Sequence, residues 1–245
     1  MLEIYDTGHC VAGPNEKISS QFPDDATDFL TMAASRGIHV MYTSNDLPAD
    51  SWYAREAFVD RESDFLTTRN VEVYKEYFSD FLNGLIERGA ELDWLWSMEL
   101  RNEYVYQLDW LPWNWTEGEF TAANGETYDM AIQSERDRLS SESLTFWADE
   151  MTAVIKSISP EFLVSIGLLA AHDNITPFGE GDPRWLVVGD FHEQTDVEFF
   201  DIHGIRSSVE VAMERYNIPD VDEKPVIVGE FGATSAAFGS IDIGA

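Results

Sequence analysis

Alternation constrains this chain more than any other feature. Six strand-like apolar runs stand out: LEIYD (2–6), HVMYTS (39–44), LDWLWSMEL (92–100), FLVSIGLL (162–169), EFFDIHGI (198–205) and PVIVGEF (225–231). Helical patterns lie between most of them. Residues 24–37 open with acids and close on Gly37, as suits a helix dipole. Residues 71–89 place Val73, Tyr77, Phe81 and Leu85 at spacing four and also end on glycine. Residues 134–160 form the longest helix, stopped before Pro160, and 207–217 the last. Strands alternating with helices imply parallel pairing through right-handed crossovers, hence a doubly wound sheet or a barrel. No GxGxxG and no GxxxxGK[ST] follows any run, which favours the barrel.

With 245 residues and no linker or repeat, one domain spanning 1–245 accounts for the chain. Met1 lies at an apolar strand with no helix before it, and GATSAAFGSIDIGA after the last run is too short for a further helix and strand. The expectation is therefore an α/β fold, an incomplete (β/α)8 barrel of about six units truncated at both ends.

Charge limits the partners. Forty-six acidic against fifteen basic residues give −31, and the lysines are four: Lys17, Lys75, Lys156 and Lys224. Phosphate binding needs clustered Lys and Arg, so nucleic acid and anionic membranes are poor partners. The acids are dispersed rather than gathered in a tail, the pattern of a surface adapted to high salt. A merely acidic enzyme is the plainer alternative. Cys10 is the single cysteine, leaving no intramolecular disulfide and no thiolate metal cluster. No run reaches the roughly 18 apolar residues of a membrane span. Residues 1–20 carry no signal-peptide pattern, so secreted and cytoplasmic locations both stay open, as does the oligomeric state.

Functional residues of β/α barrels sit at the C-terminal ends of strands. Those ends hold Asp6 and His9; Ser44, Asn45 and Asp46; Asn102 and Glu103; His172, Asp173 and Asn174; His203; and Glu230. Two carboxylic acids at two strand mouths form the set needed to cleave a glycosidic bond. One gives the leaving oxygen a proton and the other, ionised, attacks the anomeric carbon. An amide beside the acid can bond the sugar 2-hydroxyl. Asn102, Glu103 and Glu230 supply those groups, and the chemistry calls for no cofactor and no metal.

The stretch WSMELRNEY resembles the fourth-strand motif of clan A glycoside hydrolases, above all family 5 cellulases and mannanases, usually seen as aWELxNEP. KPVIVGEFG is similar to their seventh-strand nucleophile motif, and FFDIHGI to their sixth strand. The resemblance runs in order from about residue 2 to 233. It implies Glu103 as acid/base, Glu230 as nucleophile, Asn102 as 2-hydroxyl partner and His203 as a sugar or carboxylate contact. It also makes the six runs the second to seventh strands. Met98, Tyr104 and Ile205 stand where the family has tryptophan, proline and tyrosine. The activity implied is retaining hydrolysis of β-linked, cellulose- or mannan-type oligo- or polysaccharides.

Other readings stay beside it. A strand-end carboxylate can be a salt-bridged cap, and His203 a satisfied core histidine. His172 with Asp173 could line the site or belong to a plain loop. Trp113 and Trp115, in DWLPWNW (109–115), could form a stacking platform for sugar rings or a satellite hydrophobic cluster. A non-catalytic sugar-binding barrel is the main functional alternative. A metal-dependent hydrolase on Asp6, His9, His172 and His203 is weaker, because no HxH or HExxH spacing occurs.

If the charge is adaptive, screening weakens self-repulsion and stabilises the fold. The melting temperature should then rise between about 0.1 and about 2 M KCl. A flat or falling trend in a thermal scan sinks salt adaptation.

Overall fold

The computed structural model describes residues 2–3, 15–48, 51–57, 65–168, 181–205, 213–214, 216–218 and 224–232, the side chains of 2, 3, 204, 205, 231 and 232 excepted. Its strands and helices are, in chain order, β1 (Leu2–Glu3), α1 (Gln21–Ala34), β2 (Val40–Thr43), α2 (Trp52–Ala57), α3 (Thr68–Glu87), β3 (Leu95–Glu99), β4 (Tyr106–Gln107), β5 (Glu119–Thr121), β6 (Thr127–Asp129), α4 (Gln133–Ile158), β7 (Leu163–Ser165), β8 (Arg184–Trp185), α5 (Phe191–Gln194), β9 (Phe200–Ile205) and β10 (Val226–Gly232).

Each of the six expected runs contains one strand of a parallel array. β1, β2, β3 and β7 pair in that order, all parallel. β9 and β10 pair in parallel as well, and a parallel bridge between Gly167 and Asp201 joins β9 to the end of β7. The six therefore neighbour one another in sequence order. The fold is mixed α/β around this array, with two small antiparallel pairs, β4–β8 and β5–β6, outside it. These two pairs and the short helices α2 and α5 carry no strong periodicity and went unanticipated.

Helix α3 shows how sequence becomes packing. Thr67 caps it, its hydroxyl accepting from the Asn70 N–H at 3.3 Å, which satisfies a donor left over at the first turn. Val71, Tyr74, Phe78, Phe81 and Leu85 then recur at helical spacing and are buried. Phe81 stacks on Tyr42 of β2 at 4.4 Å between ring centroids, and Tyr74 meets Trp147 of α4 edge-on at 5.3 Å. The Trp147 face lies against Phe65 at 4.5 Å. Helix ends differ from expectation by one to three residues, α1 starting at Gln21 rather than at the acids that follow. The expected helix at 207–217 falls mostly outside the described residues. Among the described residues no helix is long and apolar enough to cross a membrane.

The run 92–100 is corrected in two respects. Leu92–Trp94 form a 3-10 turn, and the strand starts at Leu95. Its alternation does not separate core from solvent either: Ser97 and Glu99 are as fully buried as Met98, whereas Trp96 is exposed. Helices cover one face of a parallel strand and neighbouring strands' side chains the other, so both faces are interior.

Trp147 joins Phe65, Tyr74 and the α3–α4 contact in one place. Trp147→Ala should destabilise the protein by about 3–5 kcal/mol, the usual range for emptying a buried aromatic site. Urea unfolding measures it, and a loss under about 1 kcal/mol contradicts this packing account.

Candidate active site

The polypeptide leaving β3 is clamped from both sides. Leu100 N–H donates to Ser165 O at 2.8 Å, Asn102 N–H to Ser44 O at 2.8 Å, and Tyr104 N–H to Gly167 O at 3.0 Å. Between the last two ties sits Glu103 with φ 43°, a left-handed conformation that a residue with a side chain seldom adopts. Backbone held this way by its neighbours is found where a side chain must be aimed. The Glu103 side chain is 32% exposed at the strand mouth.

A second backbone device aims Glu230. Pairing of β10 with β9 steps from Val228–Ile202 to Glu230–His203, so Gly229 is an extra residue, a bulge. Its N–H donates to Asp201 Oδ1 at 2.9 Å, and any side chain at 229 would collide with that carboxyl group. Glu230 thus emerges beside His203 with its side chain 23% exposed.

His203 is the hub. Its Nδ1 lies 3.2 Å from Glu103 Oε1 and 3.7 Å from Glu230 Oε1, while Nε2 lies 3.5 Å from Glu99 Oε1. One ligand atom from each of Glu103, His203 and Glu230 falls within 4.8 Å of the others, and the same holds for Glu99, Asp201 and His203. Burial alone would lower the His203 pKa, but hydrogen bonds to Glu103 and Glu99 and the charges of Glu99 and Asp201 carry it up to about 10. Burial, then the charge of Glu99, pushes Asp201 up to about 7. A pKa raised to about 10 favours the imidazolium at neutral pH, and in that form Nδ1–H donates to Glu103. Each triple offers one histidine and two carboxylates, a donor set that a divalent ion could use once the ring gave up its proton. Without an ion, the same groups make a network of ion pairs around His203.

Expected site residues divide accordingly. Glu103, Glu230 and His203 come together. Asn102 adjoins them, half-buried, its side-chain oxygen enclosed with no partner among the described residues. Asn45 is half-buried just past the end of β2. Trp113 is a correction: it is 1% exposed and packs on Tyr106 at 4.6 Å and Trp185 at 4.9 Å, where pairing of β4 with β8 closes a cluster over it. The satellite-cluster alternative describes it, and no face is left for a sugar ring. Trp115 is half-buried against Phe120 at 6.1 Å. His172, with Asp6, His9, Asp173 and Asn174, lies outside the described residues. Sequence reasoning missed Glu99 and Asp201, buried at 0% and 1% exposure. Their signal was an acid inside an otherwise apolar run, a costly placement without a charged partner. It also missed Arg101, whose buried guanidinium donates to Asp46 Oδ1 at 3.1 Å and Tyr74 Oη at 2.7 Å.

No protein-family model matches the chain, and no curated protein sequence matches it. Among solved structures it is similar to the exo-β-1,4-mannosidase Op5Man5 from Opitutaceae bacterium strain TAV5, at 15% identity and a TM-score of 0.54 over 94% of this chain. It is also similar to the β-1,4-D-mannanase from Cryptopygus antarcticus, at 13% identity and a TM-score of 0.50 over 96%. The chain spans 39% of the first structure's length and 64% of the second's. At this identity the likeness is one of fold.

Raised values make the network sensitive to alkali. Asp201 goes from 3.8 to about 7 and His203 from 6.5 to about 10 on folding. Buried Asp201 costs stability as it ionises between pH about 4 and about 7. His203 contributes fully below its ordinary value and loses that contribution as pH rises from about 6.5 to about 10, so the fall above neutrality is the histidine's. The melting temperature should therefore fall between pH about 7 and about 10, and fall less in His203→Gln. Equal slopes in the two proteins would contradict a buried imidazolium.

Proposed function

We propose that this chain is a retaining glycoside hydrolase of barrel architecture that cleaves β-linked glycans of cellulose or mannan type. One observation carries the reading: Glu103 and Glu230 leave two different parallel strands and bring carboxylate oxygens within 4.8 Å of each other beside His203. A retaining double displacement wants the carboxyl groups about 5–5.5 Å apart, whereas inversion wants about 6.5–9.5 Å to seat a water. Glu103 serves as acid/base and Glu230 as nucleophile. Asn102 meets the 2-hydroxyl, Asn45, His172 and Trp115 contribute further sugar contacts, and no metal or cofactor takes part. The in-order parallel strands and the two fold relatives named for β-1,4-linked mannosides support a barrel and a β-glycan substrate.

In the first step Glu230 attacks the anomeric carbon as Glu103 gives its proton to the departing oxygen, leaving a glycosyl ester on Glu230. Glu103, now a carboxylate, takes a proton from water, which attacks the same carbon and frees Glu230. Glu230→Gln should abolish turnover. Glu103→Gln should slow glycan hydrolysis by about 10²–10⁴-fold yet spare the first step on activated aryl glycosides, whose leaving group needs no proton. A mechanism-based fluorosugar should label Glu230, read by peptide mass spectrometry. A label on any other residue ends the assignment.

A further inference from the structure

The network holds one imidazolium and four carboxyl groups, two of which, Glu99 and Asp201, lie beneath the mouth and out of a substrate's reach. The His203 ring lies 3.2 Å from Glu103 Oε1 and 3.7 Å from Glu230 Oε1, so its charge acts directly on both groups. General-acid chemistry needs a proton on one of them. Something must offset the histidine's charge from its other side, and Glu99 occupies that place.

Its position is built by the fold. Thr43, Glu99 and Ser165 are register partners across β2, β3 and β7, so all three side chains share one face, and all are buried. Glu99 is 0% exposed, and its Oε1 lies 3.5 Å from His203 Nε2. Next to it, Gly167 leaves the necessary room: any side chain there would run into Glu99 Oε1 and come within 3.1 Å of His203 Nε2. Among the described residues, the titratable groups that face the ring are Glu99 and Glu103 from β3 and the segment after it, Asp201 from β9 itself, and Glu230 from β10. The buried register partners of Glu99 on β2 and β7 are Thr43 and Ser165, neither titratable in the working range. The Arg101 guanidinium is turned to Asp46 and Tyr74. Glu99 is thus the carboxylate opposite the ring nitrogen that holds Glu103.

We propose that Glu99 is a positioning residue: at the far nitrogen of His203 it fixes the ring and offsets its charge, so that the near nitrogen orients Glu103 without locking it as a carboxylate. This rests on the reading of Glu103 as acid/base. Asp201, grouped with Glu99 and His203, assists as a second buried carboxyl group.

The test uses the full chain, with Glu99→Gln and the milder Asp201→Asn, whose amide oxygen can still accept from Gly229. Side-chain NMR of His203, assigned by its loss in His203→Gln, reads the pairing without any substrate. The ring should titrate lower by about one pH unit or more in Glu99→Gln, and lower by a smaller margin in Asp201→Asn. The alkaline limb of kcat/KM on an unactivated β-glycan should move to lower pH in Glu99→Gln, while the glycosylation rate on an activated aryl glycoside keeps its limb. An unchanged His203 titration in both folded variants overturns the proposal. So does an activity loss with no movement of the limb, the mark of a purely structural residue. Stoichiometric perturbation of the His203 signals by added Zn²⁺ would make the cluster a metal site and overturn it too. If the wild-type chain cleaves no β-glycan, the functional reading fails and takes the role toward Glu103 with it. The titration then decides the Glu99–His203 pairing on its own.

Discussion

A charged histidine held between buried and exposed carboxyl groups is the interaction on which this site depends. Glu99 and Asp201 lie in the interior, where an isolated carboxylate is several kcal/mol out of place. His203 makes their burial tolerable, and Glu103 together with the two buried acids raises its pKa in turn. Its opposite nitrogen reaches the two half-exposed glutamates at the strand mouths. Removing any one partner leaves an uncompensated charge for the others. The cluster is therefore a single unit, and the aim of Glu103 and Glu230 is tied to charges that no ligand at the mouth would touch.

Backbone geometry supplies the rest of the aim. Glu103 sits at a positive φ because the hydrogen bonds of Asn102 and Tyr104 to β2 and to the end of β7 leave the intervening residue little choice. Glu230 follows a bulge whose glycine both makes room for Asp201 and donates to it. Local strain or an unpaired residue is costly, so such devices persist where the surrounding ladder over-determines them. Parallel strands in sequence order bring the two devices to the same edge, although 127 positions separate the glutamates in the chain numbering.

Much of this was legible beforehand. Period and composition located the six parallel strands and the three long helices, because burial against a sheet imposes periods that survive in the sequence. The strand-end rule picked out Glu103, Glu230 and His203. The two antiparallel pairs were not legible: two- or three-residue strands are too short to carry a period. Trp113 was open for a related reason, since an aromatic-rich loop reads the same whether its rings face a ligand or one another. Only the pairing of β4 with β8, which brings Trp185 onto Trp113, closes that cluster.

By itself, the sequence determined the array of alternating strands and helices and the identity of the acids at the strand mouths, since both follow from local periodicity and from where a strand run stops. Tertiary structure alone decided the protonation chemistry. Glu99 and Asp201 look like ordinary strand residues until β3, β7, β9 and β10 stand side by side. Whether a carboxyl group is solvated, paired or sealed inside depends on neighbours far away in the chain. Coulomb interaction acts through space, and no window of sequence contains it.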